Sequence, residues 1–151
     1  MRDSVIQNIR TAVTVSPPRY SLVLPIYNEE QVLPRLIERI SWLVGRLDGE
    51  TEAIFVDDGS LDGSVEYLRN VLAVEPRFRL IELSRNFGHQ VAITAGMDAA
   101  AGDAVIVMDA DLQDPPEVVL DLVAKWKEGF EIVYARRVRR EGESWFKRIT
   151  A

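Results

Sequence analysis

The chain has 151 residues, 47 % hydrophobic and 28 % charged, a composition that suits one globular domain and excludes a disordered chain. It contains no cysteine, which excludes disulfide bonds, thiolate metal sites and cysteine nucleophiles. The net charge is −6, so a phosphate ligand would need a compensating cation, and we expect no nucleic-acid partner.

Basic residues concentrate towards the C-terminal end. From Tyr134 to Ala151, six basic residues outnumber two acidic ones, so this segment carries +4 and the remainder −10. Such a segment is typical of contacts with phosphates or an anionic membrane, or it is a solvated basic stretch. No apolar run reaches the ~20 residues that cross a bilayer, and residues 1–16 lack the apolar core of a signal peptide. We therefore expect a soluble, cytoplasmic chain.

In chain order, a polar leader over residues 1–18 precedes alternating apolar and amphipathic segments. The segments that predict strands are Tyr20–Leu24, Ala53–Val56, Arg79–Leu83, Ala104–Met108 and Glu131–Ala135. The segments that predict helices are Glu30–Leu47, Ser64–Val74, Gln90–Ala101 and Pro116–Lys127. Because the strand segments are continuously apolar and alternate with helices, we predict an α/β fold whose mostly parallel sheet is flanked by helices.

Two carboxylates follow the fourth predicted strand, at the sheet edge where α/β proteins bind ligands. Asp109 and Asp111 are two apart, so in an extended chain their side chains point to the same side. Hard divalent cations such as Mg²⁺ or Mn²⁺ relieve the resulting repulsion, and Gln113 continues the spacing with a carbonyl oxygen. The alternative is a helix cap, which we favour for Asp114.

Other polar residues follow the first three strands. A carboxylate of Asp58 or Asp57 suits a base or ribose hydroxyls, and we favour Asp58. Tyr27 is suited to stack on a base and Glu29 to hold its edge, unless Glu29 only complements the next helix. We expect the single histidine, His89, to make a hydrogen bond near the third loop rather than to act in catalysis.

Several nucleotide and hydrolase motifs are missing from the sequence. There is no G-x-x-x-x-G-K-[ST] phosphate loop, and no G-x-G-x-x-G follows the first strand. The nucleophile elbow G-x-S-x-G is also absent. These absences argue against P-loop enzymes, dinucleotide-binding domains and α/β-hydrolases.

Four motifs occur in order at the strand ends. They are Pro25-x-Tyr27-Asn28-Glu29, Val56-Asp57-Asp58-Gly59-Ser60, Ser84-Arg85-Asn86-x-Gly88 and Asp109-Ala110-Asp111-Leu112-Gln113-Asp114-Pro115-Pro116-Glu117. This set resembles the family-two inverting glycosyltransferases of GT-A fold, and the last motif is most similar to those of polyprenyl-phosphate (dolichol-phosphate) hexose synthases. The resemblance implies a leader over residues 1–18 and a nucleotide-sugar-binding domain over 19–151, truncated at its C-terminal side.

The resemblance also implies an enzyme that transfers a hexose, with inversion, from a nucleotide diphosphate sugar to a polyprenyl phosphate. The substrate-binding residues would be Pro25, Tyr27, Glu29, Val56, Asp58, Ala110 and Gln113. Mg²⁺ or Mn²⁺ would be held on the diphosphate by Asp109, Asp111 and Gln113. The catalytic set would be Asp109, Asp111 and Arg137, although Ala135-Arg136-Arg137 departs from the family's Gly-Ser/Thr-Arg and keeps Arg136 as a candidate.

Two alternatives keep the fold and change the activity. The acceptor is a sugar hydroxyl on a polysaccharide, or the chain is a donor-binding fragment that is inactive without its C-terminal half. The resemblance further implies a full-length protein at the cytoplasmic face of the membrane. A homo-oligomer is left open, and the sequence specifies neither the sugar nor the base.

Overall fold

In a computed structural model of the chain, the structure describes residues 17–113 and 115–135. Strands and helices alternate in the order β1 (Tyr20–Ile26), α1 (Leu33–Val44), β2 (Thr51–Asp57), α2 (Ser64–Leu72), β3 (Phe78–Glu82), α3 (His89–Ala99), β4 (Ala104–Val107) and α4 (Val118–Lys127). The four strands are parallel and lie in the order β3-β2-β1-β4. The predicted α/β class and parallel sheet are confirmed.

The core lies on both faces of the two central strands. Every residue of β1 is buried, because neighbouring strands flank it and helices cover it on both sides. One face packs against α1, α2 and α4, whose contributing residues include Leu36, Leu68 and Val119. The other face carries Val23, Ile54 and Val56 under Ala92 of α3. The continuous apolar character of β1 and β2 follows from this double cover.

Helix α3 approaches the sheet closely at Gly96. A Cβ at this position would lie 2.4 Å from Cγ1 of Val23, a distance that real contacts do not show. The lack of a side chain therefore lets the helix rest on β1, and the buried Ala92 one turn earlier lies on the same face. This packing fixes where the first turn of α3 stands at the carboxyl edge of the sheet.

The expected fifth strand over Glu131–Ala135 is wrong. Residues 131–135 make no strand pairing, and the side chains of Ile132 and Tyr134 are 86 % and 79 % exposed. A strand forms only where its backbone groups find partners, and the sheet within the described residues ends at β4. Hydrophobic periodicity indicated the strand propensity of this segment, but it could not indicate whether a neighbouring strand was available to pair with it.

The element ends differ from prediction mainly in the loops. Strands β1 and β2 extend two and one residues further, to Ile26 and Asp57, because each pairs with the other along its whole length. Helix α1 begins at Leu33 rather than Glu30, since the preceding residues bond to the loop after β2. Within residues 17–113 and 115–135, no helix is both long and apolar enough to cross a bilayer.

Candidate functional site

A cleft of about 530 Å³ opens at the carboxyl edge of the sheet, a volume within the range of small-molecule sites. It lies at the ends of β1 and its two neighbouring strands, where the chain order of the strands reverses direction. Its lining residues are Pro25, Ile26, Tyr27, Glu29, Asp58, Asn86, Gly88, His89, Ala92, Asp109, Ala110 and Asp111. Four carboxylates therefore face or border one opening.

The loop after β1 is joined to the loop after β2 through Asn28. This residue has a positive φ of 54°, a conformation that asparagine tolerates better than most residues. Its backbone N–H donates to Oγ of Ser60 at 2.9 Å, and its Oδ1 accepts from the N–H of Leu61 at 2.8 Å. The turn at Asn28 thus presents Tyr27 and Glu29 to the cleft from a fixed backbone.

A second set of bonds continues this join. The N–H of Glu29 donates to Oγ of the buried Ser64 at 2.9 Å. Glu30 accepts the N–H of Gly63 at 3.1 Å and donates its own N–H to Asp62 at 3.1 Å. Asp62 also accepts the N–H of Ser64, the first residue of α2, at 3.0 Å. Glu30 complements the start of α2 rather than that of α1.

Asp57, the last residue of β2, and Asp58, the residue after it, have different roles. Asp57 is buried and its Oδ2 accepts the N–H groups of Gly59 and Ser60 at 3.1 and 3.0 Å, so it shapes the turn. Its Oδ1 has no hydrogen-bond partner among the described residues, and Asp57 does not line the cleft. Asp58 does line the cleft, as favoured from the sequence.

Asp58 also holds the loop after β3. Its side chain is buried, and its two carboxylate oxygens accept the N–H groups of Phe87 at 2.7 Å and Gly88 at 2.9 Å. Gly59 lets this loop approach, because a Cβ there would stand 2.5 Å from backbone atoms of Arg85 and Asn86. A charged acceptor on two backbone donors is a strong anchor. The loop after β3 is therefore fixed against the end of β2.

Asp109 and Asp111 both line the cleft although the chain does not stay extended between them. It turns at Ala110, whose side chain is buried, and Leu112 has a positive φ of 58°. Asp111 Oδ1 accepts the N–H of Gln113 at 2.9 Å. The turn replaces the expected alternation of an extended strand and still brings both carboxylates to one opening.

His89, the first residue of α3, reaches across the cleft. Its Nε2 lies 3.3 Å from Oδ1 of Asp109, and both side chains are about half exposed. This contact is at ion-pair distance and is not the hydrogen bond that was expected, and its partner follows β4 rather than β3.

The environment of the cleft changes the pKa of Glu29. Burial raises the pKa of its carboxyl group, and the nearby charges of Asp111 and Asp62 raise it further. A cation in the cleft would reverse the effect of Asp111. Among the described residues, no three acidic or histidine side chains are grouped closely enough to hold a metal by themselves. Asp109 and Asp111 offer two hard oxygen ligands, which fits a divalent ion that takes its other ligands from water or phosphate.

Seven of the residues predicted for the site line the cleft: Pro25, Tyr27, Glu29, Asp58, Asp109, Ala110 and Asp111. Val56 is instead fully buried under α3, and neither it nor Gln113 lines the cleft. Arg136, Arg137 and the cap candidate Asp114 lie outside the described residues. The sequence reasoning had not assigned Ile26, Asn86, Gly88, His89 and Ala92 to the site. The third motif, at the end of β3, was the signal that could have found Asn86, Gly88 and the adjacent His89.

The sequence is similar to several bacterial and phage proteins. It is 52 % identical over 133 residues to the uncharacterized glycosyltransferase YkcC of Bacillus subtilis, covering 88 % of this chain and 41 % of that protein. It is 45 % identical over 134 residues to the undecaprenyl-phosphate 4-deoxy-4-formamido-L-arabinose transferase of Proteus mirabilis (88 % and 41 %). It is 41 % identical over 134 residues to the bactoprenol glucosyl transferase of Shigella phage SfV (88 % and 43 %). The chain thus spans about two fifths of these relatives.

Solved structures share the fold at lower identity. Residues 1–349 of S. aureus TarS superpose with a TM-score of 0.59 at 23 % identity, over 73 % of this chain and 32 % of that one. The mannosyltransferase PcManGT from Pyrobaculum calidifontis, solved with GDP-Man and Mn²⁺, superposes with a TM-score of 0.55 at 24 % identity, over 68 % and 36 %.

The family model described as glycosyl transferase family 2 matches residues 21–150, which is most of the chain and includes every helix and cleft residue described above and every strand residue except Tyr20. The chain belongs to glycosyl transferase family 2.

Proposed function

We propose that this chain binds a nucleotide diphosphate sugar through a divalent cation, Mg²⁺ or Mn²⁺, at Asp109 and Asp111. We further propose that the protein transfers the hexose, with inversion, to a polyprenyl phosphate. The observation that carries the proposal is the convergence of Asp109 and Asp111 on a cleft that also contains Tyr27, Glu29 and Asp58. The printed names of the relatives from Proteus and phage SfV support the choice of acceptor.

The nucleoside would lie against the loops after β1 and β2. The ring of Tyr27 is 43 % exposed and would stack on the base, while Pro25 forms the floor beside it. Glu29 and Asp58 would accept hydrogen bonds from base or ribose groups. Asp58 already accepts two backbone N–H groups, and a carboxylate has lone pairs for further donors.

The diphosphate would lie towards the loop after β4. Its charge would meet the acidic cleft unfavourably without a cation, and the exposed carboxylates of Asp109 and Asp111 would hold that cation. A bound divalent ion would neutralise the diphosphate and stabilise the charge that develops on the leaving group. Gln113 would add an oxygen close to the pair, and Arg137 or Arg136 would add positive charge near the phosphates.

Inversion corresponds to a single displacement at the anomeric carbon, in which the acceptor oxygen attacks as the nucleotide diphosphate leaves. A phosphate monoester has a second pKa near ~6 and is largely dianionic at neutral pH. Such an acceptor needs little help from a general base. We propose accordingly that the protein works at the cytoplasmic face of a membrane.

The test is a titration of Mn²⁺ and nucleotide diphosphates against the chain and its variants. Asp111→Asn should weaken Mn²⁺-dependent binding of the nucleotide by at least about tenfold, because one of two charged ligands is lost. Asp121→Asn on the exposed side of α4 removes the same charge outside the cleft and should leave binding unchanged. Equal affinity in all three proteins would contradict the proposed ion site.

The same assay, run with UDP-, GDP- and CMP-sugars, would identify the base by thermal stabilisation. Turnover with polyprenyl phosphate then tests the acceptor. Transfer to a polysaccharide hydroxyl in place of the lipid phosphate would contradict the proposed acceptor. Donor binding without transfer to either acceptor would show that this chain alone is a donor-binding module.

A further inference from the structure

The contact between His89 and Asp109 joins parts of the sheet that are not neighbours. His89 begins the helix that follows β3, an edge strand, and Asp109 follows β4, the opposite edge strand. Two strands, β2 and β1, lie between them. The distance of 3.3 Å from Nε2 to Oδ1 therefore brings together two lining residues of the cleft that follow opposite edge strands.

The backbone of His89 is held firmly. The preceding residue, Gly88, donates its N–H to the buried carboxylate of Asp58 at 2.9 Å and has a φ of 101° that favours glycine. One turn further along α3, Ala92 is fully buried against the sheet. An anchored backbone and a packed helix together fix the point from which the imidazole extends.

Asp109 is held less firmly than His89. Pairing of β4 with β1 ends at Val107, two residues earlier, and the chain enters a turn at Ala110. The side chain of Asp109 is 57 % exposed. An exposed carboxylate outside regular structure samples several rotamers, and holding it in one of them costs conformational entropy. In this pair, His89 is the fixed member and Asp109 the adjustable one.

The Nε2 nitrogen lies at ion-pair distance from one oxygen of the Asp109 carboxylate and leaves the other oxygen available. Groups that orient a metal-binding carboxylate in this way raise metal affinity without touching the metal. We propose that His89 is a positioning residue that orients Asp109 for the divalent ion, an inference that rests on the proposed function. Asp58 supports this role indirectly, through Gly88.

The experiment measures Mn²⁺ binding to the 151-residue chain by electron paramagnetic resonance, with UDP present and at one fixed pH. His89→Ala should weaken Mn²⁺ affinity by about tenfold. His89→Gln should restore most of the loss, since its amide nitrogen reaches about as far as Nε2 and donates similarly. Gln90→Ala, a neutral truncation at the next exposed position of α3, should leave the affinity unchanged.

A purely structural role would change other readouts as well. The melting temperature and the affinity for uridine, measured without metal, should be the same in His89→Ala and in the unaltered chain, because the imidazole is half exposed. The combination of unchanged uridine binding and weakened Mn²⁺ binding is specific to positioning. Loss of both would indicate a general disturbance of the cleft and overturn the inference.

The outcomes separate this inference from the proposed function. Mn²⁺ binding that depends on Asp111 but is equal or tighter in His89→Ala would overturn the role of His89 and leave the ion site standing. An absence of Asp111-dependent Mn²⁺ binding in the unaltered chain would overturn both.

Discussion

The loops after β1, β2 and β3 are joined to one another by bonds from side chains to backbone, and the loop after β4 shows a different pattern. In the first group, side-chain oxygens of Asn28, Ser64 and Asp58 each accept hydrogen bonds from backbone N–H groups of a neighbouring loop. In the described part of the loop after β4, Asp111 binds Gln113 within the loop, and Glu117 binds Arg39 of α1 at its far end.

The difference separates a preorganised surface from an adaptable one. The loops proposed to bind the nucleoside have their backbone set before any ligand arrives, so little ordering entropy is lost on binding. The carboxylates proposed to bind the ion lie on an exposed turn beside β4, where Val105 and Val107 are also 40 % and 41 % exposed. Regions with few buried contacts open more easily, which suits a site that must close around an ion and a diphosphate.

The largest expected effect comes from separating the joined loops. Gly59→Ala should lower the free energy of unfolding by about 4 kcal/mol, because a Cβ at φ 74° would stand 2.5 Å from the backbone of the loop after β3. Gly88→Ala is the matched control, with a φ of 101° but no atom within 4 Å, and should cost about 1–2 kcal/mol. Urea unfolding measures both. Equal losses would mean that the close approach of the two loops does not stabilise the fold.

A smaller effect is expected at Asn28. Replacement by alanine removes the acceptor for the N–H of Leu61 and leaves a Cβ residue at φ 54°, which together should cost about 1–2 kcal/mol. Asn28→Gly keeps the conformation and loses only the hydrogen bond, so its cost should be roughly half as large. Both variants should weaken nucleotide binding in the same order, measured by calorimetry. Unchanged nucleotide affinity in the alanine variant would show that the joined loops are not needed for the ligand.

The smallest effect links the two regions through Glu29. In the folded chain the pKa of its carboxyl group is raised, mainly by burial and further by the negative charges of Asp111 and Asp62. The folded state therefore keeps this proton to a higher pH than the unfolded state, whose pKa is about 4.3, and stability from this group falls as pH rises through that window. Glu29→Gln should lack this fall, so its stability relative to the unaltered chain should increase with pH and then level off. Urea unfolding across acidic to neutral pH would contradict this if the two curves ran parallel.

Much of the cleft could be predicted from local sequence. Tyr27, Glu29, Asp58, Asp109 and Asp111 each follow an apolar strand directly, and parallel strands bring their carboxyl ends to one edge. Any chain that forms this sheet must place these residues near one another. The expectation of an extended chain between Asp109 and Asp111 was wrong, because the chain turns there. Both carboxylates nevertheless line the cleft.

Other features depended on contacts between distant parts of the chain. Val56 lies in the core instead of the cleft because α3 covers that face of β2, and apolar character alone does not say which face is covered. Residues 131–135 have strand character without a partner strand. The pairing of His89 with Asp109 arises from the path of α3 above the sheet, which no spacing in the sequence encodes.

The sequence by itself determined the order of strands and helices, the parallel sheet and the residues at its carboxyl edge, because hydrophobic periodicity and strand-end position are local properties. Tertiary structure decided which backbone groups each carboxylate at that edge binds. Asp57 and Asp58 are identical side chains in adjacent positions, yet one shapes a turn and the other borders the cleft. The physical reason is that successive residues of a strand point to opposite faces, and only the packed helices decide what each face meets.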